Sequence, residues 1–129
     1  MKKYIFLFSL FFLVEYGYGQ NIAINNWATH LNYTNINSII KAESTLYVGT
    51  KAGLFSYNTD DNSLVSFSKL DGISSLNVSA LNYSPDNGVL IIGYADGNID
   101  LLLNGKIINI PYINTANILA SKYINHIYI

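Results

Sequence analysis

The residues of this chain that could carry chemistry are few and scattered. Its two histidines, His30 and His126, stand far apart, and neither has an activatable hydroxyl and an orienting carboxylate beside it. A His-assisted nucleophile needs both. His126 falls within a strand-like alternation, where a structural or surface histidine is expected. Oxygen ligands alternate along Asp96-Gly97-Asn98-Ile99-Asp100, the rhythm of a calcium loop. An EF-hand loop, however, places a glycine sixth and a bidentate Glu twelfth. Those positions hold Leu101 and Ile107, so the segment reads as a turn between strands. Asp60-Asp61-Asn62 reads as turn chemistry too. No paired carboxylates on matching elements suggest glycoside hydrolysis. The sequence therefore assigns no catalytic, cofactor-binding or metal residue, and the chain is expected not to be an enzyme.

Composition narrows the classes further. The 129 residues are half hydrophobic and only 12% charged, with a formal net charge of −1. That is too apolar for a disordered tail, and the length suits one ordinary domain. All seven cations are lysines. Without arginine there is no bidentate phosphate recognition, and a charge near zero gives no field to steer nucleic acid. Cysteine is absent, which excludes disulfides, thiol catalysis and thiolate metal sites. Eleven tyrosines with many Ile and Asn point to strands and turns. Tyr47, Tyr57, Tyr83 and Tyr94 recur at strand positions, where packing between sheets is the expected role and sugar stacking the alternative. Asn32-Tyr33-Thr34, Asn77-Val78-Ser79 and Asn82-Tyr83-Ser84 match the glycosylation sequon; in a bacterial host they are chance matches.

Residues 1–19 read as a leader rather than as fold. Met1-Lys2-Lys3 is a positive n-region, and Tyr4–Val14 is an apolar run too short to span a bilayer. Gly17 and Gly19 place small residues for a cut before Gln20, and no lipid-bearing cysteine follows. The expectation is export, with a mature chain that has no transmembrane segment.

The remainder repeats. Leu46–Tyr57 aligns without gaps on Leu90–Leu101: an apolar triplet, Gly, three residues, Gly, and a second alternation. Asn35–Ile39 precedes the first copy as Asn77–Leu81 precedes the second, and a third start stands at Ile124–Ile129. Each copy predicts four strands: Ile36–Lys41, Leu46–Gly49, Leu54–Tyr57 and Leu64–Ser68, then Val78–Tyr83, Val89–Tyr94, Asn98–Leu103 and Lys106–Ile110. Asn104-Gly105 between apolar runs is a strong hairpin signal, because both residues tolerate positive φ. Four antiparallel strands in roughly 44 residues is the size of a β-propeller blade. The second strand of each copy should lie inside its sheet, with Gly49 and Gly93 permitting close approach between blades. The fold class is thus all-β: two four-stranded blades plus the start of a third. A single β-sandwich is the alternative.

The pattern Leu46-Tyr47-Val48-Gly49-Thr50-x-x-Gly53-Leu54-Phe55-x-Tyr57, followed by Leu70-Asp71-Gly72-Ile73, is similar to the two-component-regulator propeller repeat. Together with Trp27-Ala28-Thr29-His30-Leu31 after the leader, the run Gly97–Leu101 and Ile124–Ile129, it resembles the N-terminal propeller of the PorZ family of type IX secretion surface proteins. That resemblance implies two N-terminal propellers and a C-terminal β-sandwich. It implies a non-enzymatic role in delivering anionic lipopolysaccharide to the cell-surface sortase and attachment complex of a Gram-negative bacterium. The repeat is shared with the ligand-sensing ectodomains of two-component regulators, which supply the alternative function. A propeller closes with about four to eight blades, so residues 20–129 are expected to be the first part of a longer protein. Strands such as Leu101–Leu103 and Ile107-Ile108 are then expected to face outward, uncovered.

Overall fold

A computed structural model describes residues 33–129. The leader-like segment, its cut before Gln20, Trp27, His30 and the Asn32 sequon lie outside the described residues. Eight strands form two four-stranded antiparallel sheets in consecutive order. The first sheet holds β1 (Ile36–Ala42), β2 (Thr45–Thr50), β3 (Gly53–Asn58) and β4 (Leu64–Phe67). The second holds β5 (Val78–Ser84), β6 (Val89–Tyr94), β7 (Ile99–Leu103) and β8 (Lys106–Ile110). These are the eight strands that the alternation predicts, within a residue or two at the ends. The repeating unit is the four-stranded blade.

Turn chemistry sets each hairpin. Between β3 and β4, Asn58 accepts the Asp60 N–H at 2.8 Å, and Asp61 accepts the Ser63 N–H at 2.9 Å. Tyr57 closes that hairpin by donating its hydroxyl to Asn62 Oδ1 at 2.5 Å. Asn104 and Gly105 take φ values of 49° and 74°, the left-handed pair that a two-residue turn requires.

The core lies between the two sheets. Leu54 and Ile73 pack with Val78, Leu81, Leu90, Ile92, Tyr94 and Leu102, flanked by Ile40, Tyr47, Phe67, Leu76, Tyr83 and Ile107. Leu102 and Ile107 therefore face the first blade, contrary to the outward, uncovered placement expected for them. Pairing explains why: Leu102 lies opposite Leu90 and Ile107 opposite Leu102, so all three share one face. Of that pair of segments, Ile108 does stand in solvent.

The ungapped repeat alignment holds through Gly49 and Gly93 and then slips by one. In the first blade Gly49 pairs with Leu54, whereas in the second Gly93 pairs with Ile99. The second turn holds one extra residue, so Asp100 is equivalent to Phe55 and not to Ser56. A one-residue slip moves a side chain to the other face of a sheet.

After β8 the chain makes one helical turn, α1 (Tyr112–Thr115), and continues without a further strand to Ile129. Ile124–Ile129 does not enter a ladder. It lies against the second blade where β5 lies against the first.

Candidate functional site: the seam between the blades

The chemistry-capable side chains converge where the linker between blades meets β7. After β4, Ser68 caps a 3₁₀ turn (Lys69–Asp71): its Oγ accepts the Leu70 N–H at 3.2 Å, while Asp71 accepts the Ser68 N–H at 2.8 Å. Gly72 ends the turn at φ 100°, in the left-handed region. The linker then buries Ile73 and presents Ser74 and Ser75 to the second blade.

Asp100 receives them. Its side chain is 0% exposed. It accepts from Ser74 N–H at 2.7 Å, Ser74 Oγ at 2.6 Å, Tyr94 Oη at 2.7 Å and Asn109 Nδ2 at 2.9 Å. A buried carboxylate is tolerable when hydrogen bonds replace its water. Tyr94 is buried with it; that burial, then the hydrogen bond and charge of Asp100, hold the phenol far above its ordinary range. At the rim, Ser75 donates its hydroxyl to Asp96. Burial alone would raise the Asp96 carboxyl, but hydrogen bonds from Ser75 and Asn98 leave it below the usual carboxylate range.

In the first blade the same position, Phe55, meets Tyr33, with ring centroids 5.2 Å apart and planes at 69°. Tyr33 precedes β1 by the same interval as Ser75 precedes β5. Each blade therefore rests its incoming segment on its third strand, by an aromatic contact in one and hydrogen bonds in the other. This cradle fastens chain to chain. With four donors on its carboxylate, Asp100 is occupied as an acceptor and shielded from solvent, which suits a strut rather than a general base.

A second set of contacts locks one blade to the next. A Cβ at Gly49 would lie 2.4 Å from Val78 Cγ1, and one at Gly93 would lie 2.8 Å from Ile124 Cγ2. Both glycines thus permit the close approach expected of them. Asn37 donates to Val78 O at 2.8 Å, and Ser79 donates to Ile124 O at 2.7 Å. The tail also crosses the Asp96-Gly97 turn. Lys122 O lies 3.1 Å from the Cβ position at Gly97, and Asn114 donates to Asp96 O at 2.9 Å.

The other singled-out residues disperse. His126 is exposed on the tail, its ring 4.5 Å from that of Tyr128. Tyr47 and Tyr83 flank the core between blades, as expected, while Tyr57 serves its own hairpin. Asn82 spends its side-chain N–H on Ile127 O at 2.7 Å, and Asn77 accepts weakly from Asn37 at 3.3 Å. Asp60 and Asp61 stay in the exposed β3–β4 turn. Asp96 and Asp100 separate, one to the rim and one to the core. Sequence reasoning missed the Ser74–Asp100 pair; the available signal was the extra residue between Gly93 and Ile99.

The architecture agrees with comparison to known proteins. No curated protein matches the chain. A solved structure of PorZ, described as an essential bacterial surface component of the type IX secretion system of Porphyromonas gingivalis, superposes with a TM-score of 0.69 at 26% identity. The match covers 74% of this chain and 13% of that one, so this chain spans a small part of that protein's length. The family model for the PorZ N-terminal β-propeller domain of the type IX secretion system matches residues 46–129. The chain belongs to the PorZ N-terminal β-propeller family.

Proposed function

We propose that this chain forms the opening blades of a non-enzymatic, exported component of the type IX secretion system. The assembled protein hands anionic lipopolysaccharide to the surface sortase and attachment complex. The observation that carries this reading is the family match over residues 46–129, supported by the likeness to PorZ of Porphyromonas gingivalis. The geometry is in keeping with it: Asp96, Asp100, Ser74, Ser79 and Asn37 bind other parts of the chain and so serve assembly. Residues 1–19 supply export, with Gln20 as the mature N-terminus at the outer-membrane surface. No helix among the described residues is long and apolar enough to cross a membrane.

The test is affinity capture of the full-length protein from its own cells. Sortase-complex proteins and anionic lipopolysaccharide should be retained together, and their absence would sink the proposal. Intact-mass analysis of the exported protein should find Gln20 first; a mature chain that keeps Tyr4–Val14 would refute export by cleavage.

A further inference from the structure

Two Asn-Gly steps stand in exposed turns of the second blade: Asn87-Gly88 between β5 and β6, and Asn104-Gly105 between β7 and β8. A glycine leaves its own backbone nitrogen open to the preceding carboxamide, since it has no Cβ to stand in the way. Around both of these glycines the space is empty, and a Cβ at either would meet nothing within 4 Å. The asparagines differ in what holds their side chains. Asn87 Nδ2 donates to Oγ of the buried Ser84 at 3.0 Å. Among the described residues, neither the Asn104 carboxamide nor the Gly105 N–H has a hydrogen-bond partner.

We propose that Asn104 deamidates spontaneously in the folded protein, faster than Asn87, and that the change loosens β8. The Gly105 nitrogen gives its proton to hydroxide and attacks Cγ of Asn104. The new N–Cγ bond closes a succinimide ring, and the carboxamide nitrogen leaves with a proton from water as ammonia. Water then opens the ring. Breaking the new N–Cγ bond leaves aspartate; breaking the bond from that nitrogen to the Asn104 main-chain carbonyl carbon leaves isoaspartate, with the backbone rerouted through Cβ and Cγ. No oxidant or reductant takes part, and the chain gains a negative charge. Isoaspartate adds a methylene to a turn that holds only two residues between the paired Leu103 and Lys106. In the ladder β8 has β7 alone as partner. Their register sets Ile107 opposite Leu102 at the core and Asn109 Nδ2 2.9 Å from Asp100. The lengthened turn puts those contacts out of register.

The test ages the full-length protein in mildly alkaline buffer, folded and in urea. Peptide mass spectrometry with enzymatic isoaspartate labelling follows both asparagines. In the folded protein Asn104 should convert several-fold faster than Asn87, and in urea the two rates should converge. Ser84→Ala should bring Asn87 towards the Asn104 rate. The isoaspartyl form should lose hydrogen-exchange protection over Lys106–Ile110 while β5 and β6 keep theirs. Equal rates in the folded parent, a rate ratio that persists in urea, or full protection of β8 after conversion would overturn the proposal.

Discussion

Ser74 donates its backbone N–H and its hydroxyl to the one carboxylate of Asp100, at 2.7 and 2.6 Å. The pair ties the linker between blades to the third strand of the second blade, 26 residues away in sequence. Removing the acceptor strands the buried Tyr94 hydroxyl and takes the partner of two donors on half-buried Ser74, whereas exposed Asn109 can turn to water. Each buried unsatisfied group costs roughly 1–3 kcal/mol, so Asp100→Ala should destabilise the propeller by about 3 kcal/mol or more. Ser74→Ala, which keeps the N–H bond, should cost about 1 kcal/mol. Urea midpoints of the intact protein check both; equal costs would show that the carboxylate is not the hub.

The strands were legible in the sequence because apolar alternation and turn residues are local signals, and both blades obey them. Asn104-Gly105 could be read as a hairpin because only φ above zero satisfies that turn. The seam was not legible. Gly53 and Gly97 share a column in the ungapped alignment, yet Gly53 opens a strand while Gly97 lies in the turn before one. The extra residue rotates Asp100 into the core, a change of face that composition cannot reveal. Fastening of Ser74 to Asp100 is a tertiary event between segments with no shared periodicity. The sequon at Asn82 was likewise mute about its use, since its partner Ile127 lies 45 positions on.

Gly49 should tolerate no side chain. A methyl group there would stand 2.4 Å from Val78 Cγ1 and 3.0 Å from Val78 Cβ, both on the stiff first strand of the next blade. Overpacking of this kind costs about 1–3 kcal/mol. Gly49→Ala should therefore lower the unfolding midpoint, and Val78→Ala in the same protein should restore part of the loss. A double-mutant cycle measures the coupling; strictly additive effects would place Val78 elsewhere in solution.

Tyr94 should stay silent in an alkaline titration of the folded protein. Burial first, then its hydrogen bond to Asp100 and that carboxylate's charge, raise its pKa far above the ordinary value near 10. With the folded value raised, the contribution to stability is full below about pH 10 and is lost as pH climbs above it. Ultraviolet absorbance followed against pH in the folded protein checks this. Tyr94 should ionise only as the fold opens, and Tyr94→Phe should remove that late component.

Acid should loosen the rim at Asp96. Against the upward push of burial, Ser75 and Asn98 hold Asp96 below its ordinary pKa. A depressed folded value means that the stabilisation is present above the unfolded pKa of about 3.9 and is lost as pH falls through the folded one. Urea midpoints followed downward from about pH 6 should fall below about pH 4. Asp96→Asn should flatten that limb and lower the neutral-pH midpoint by about as much as acid takes from the parent. An unchanged limb in Asp96→Asn would mean that the acid sensitivity arises elsewhere.

The two blades alone should be poor at standing free. A blade buries its faces mainly against its neighbours, and ordering each residue costs roughly 1–2 kcal/mol of backbone entropy. The seam offsets that on one face of each blade. Ile36, Ile39 and Leu64 remain exposed on the first, and Ile118 and Leu119 on the tail beside the second. Contiguous uncovered apolar surface favours association. Purified Gln20–Ile129 should therefore elute as aggregate or melt without cooperativity, while the protein with its whole propeller should unfold in one calorimetric transition. A monomeric Gln20–Ile129 melting sharply above about 50 °C, as an independent domain does, would show that two blades suffice and that the exposed pairs need no partner.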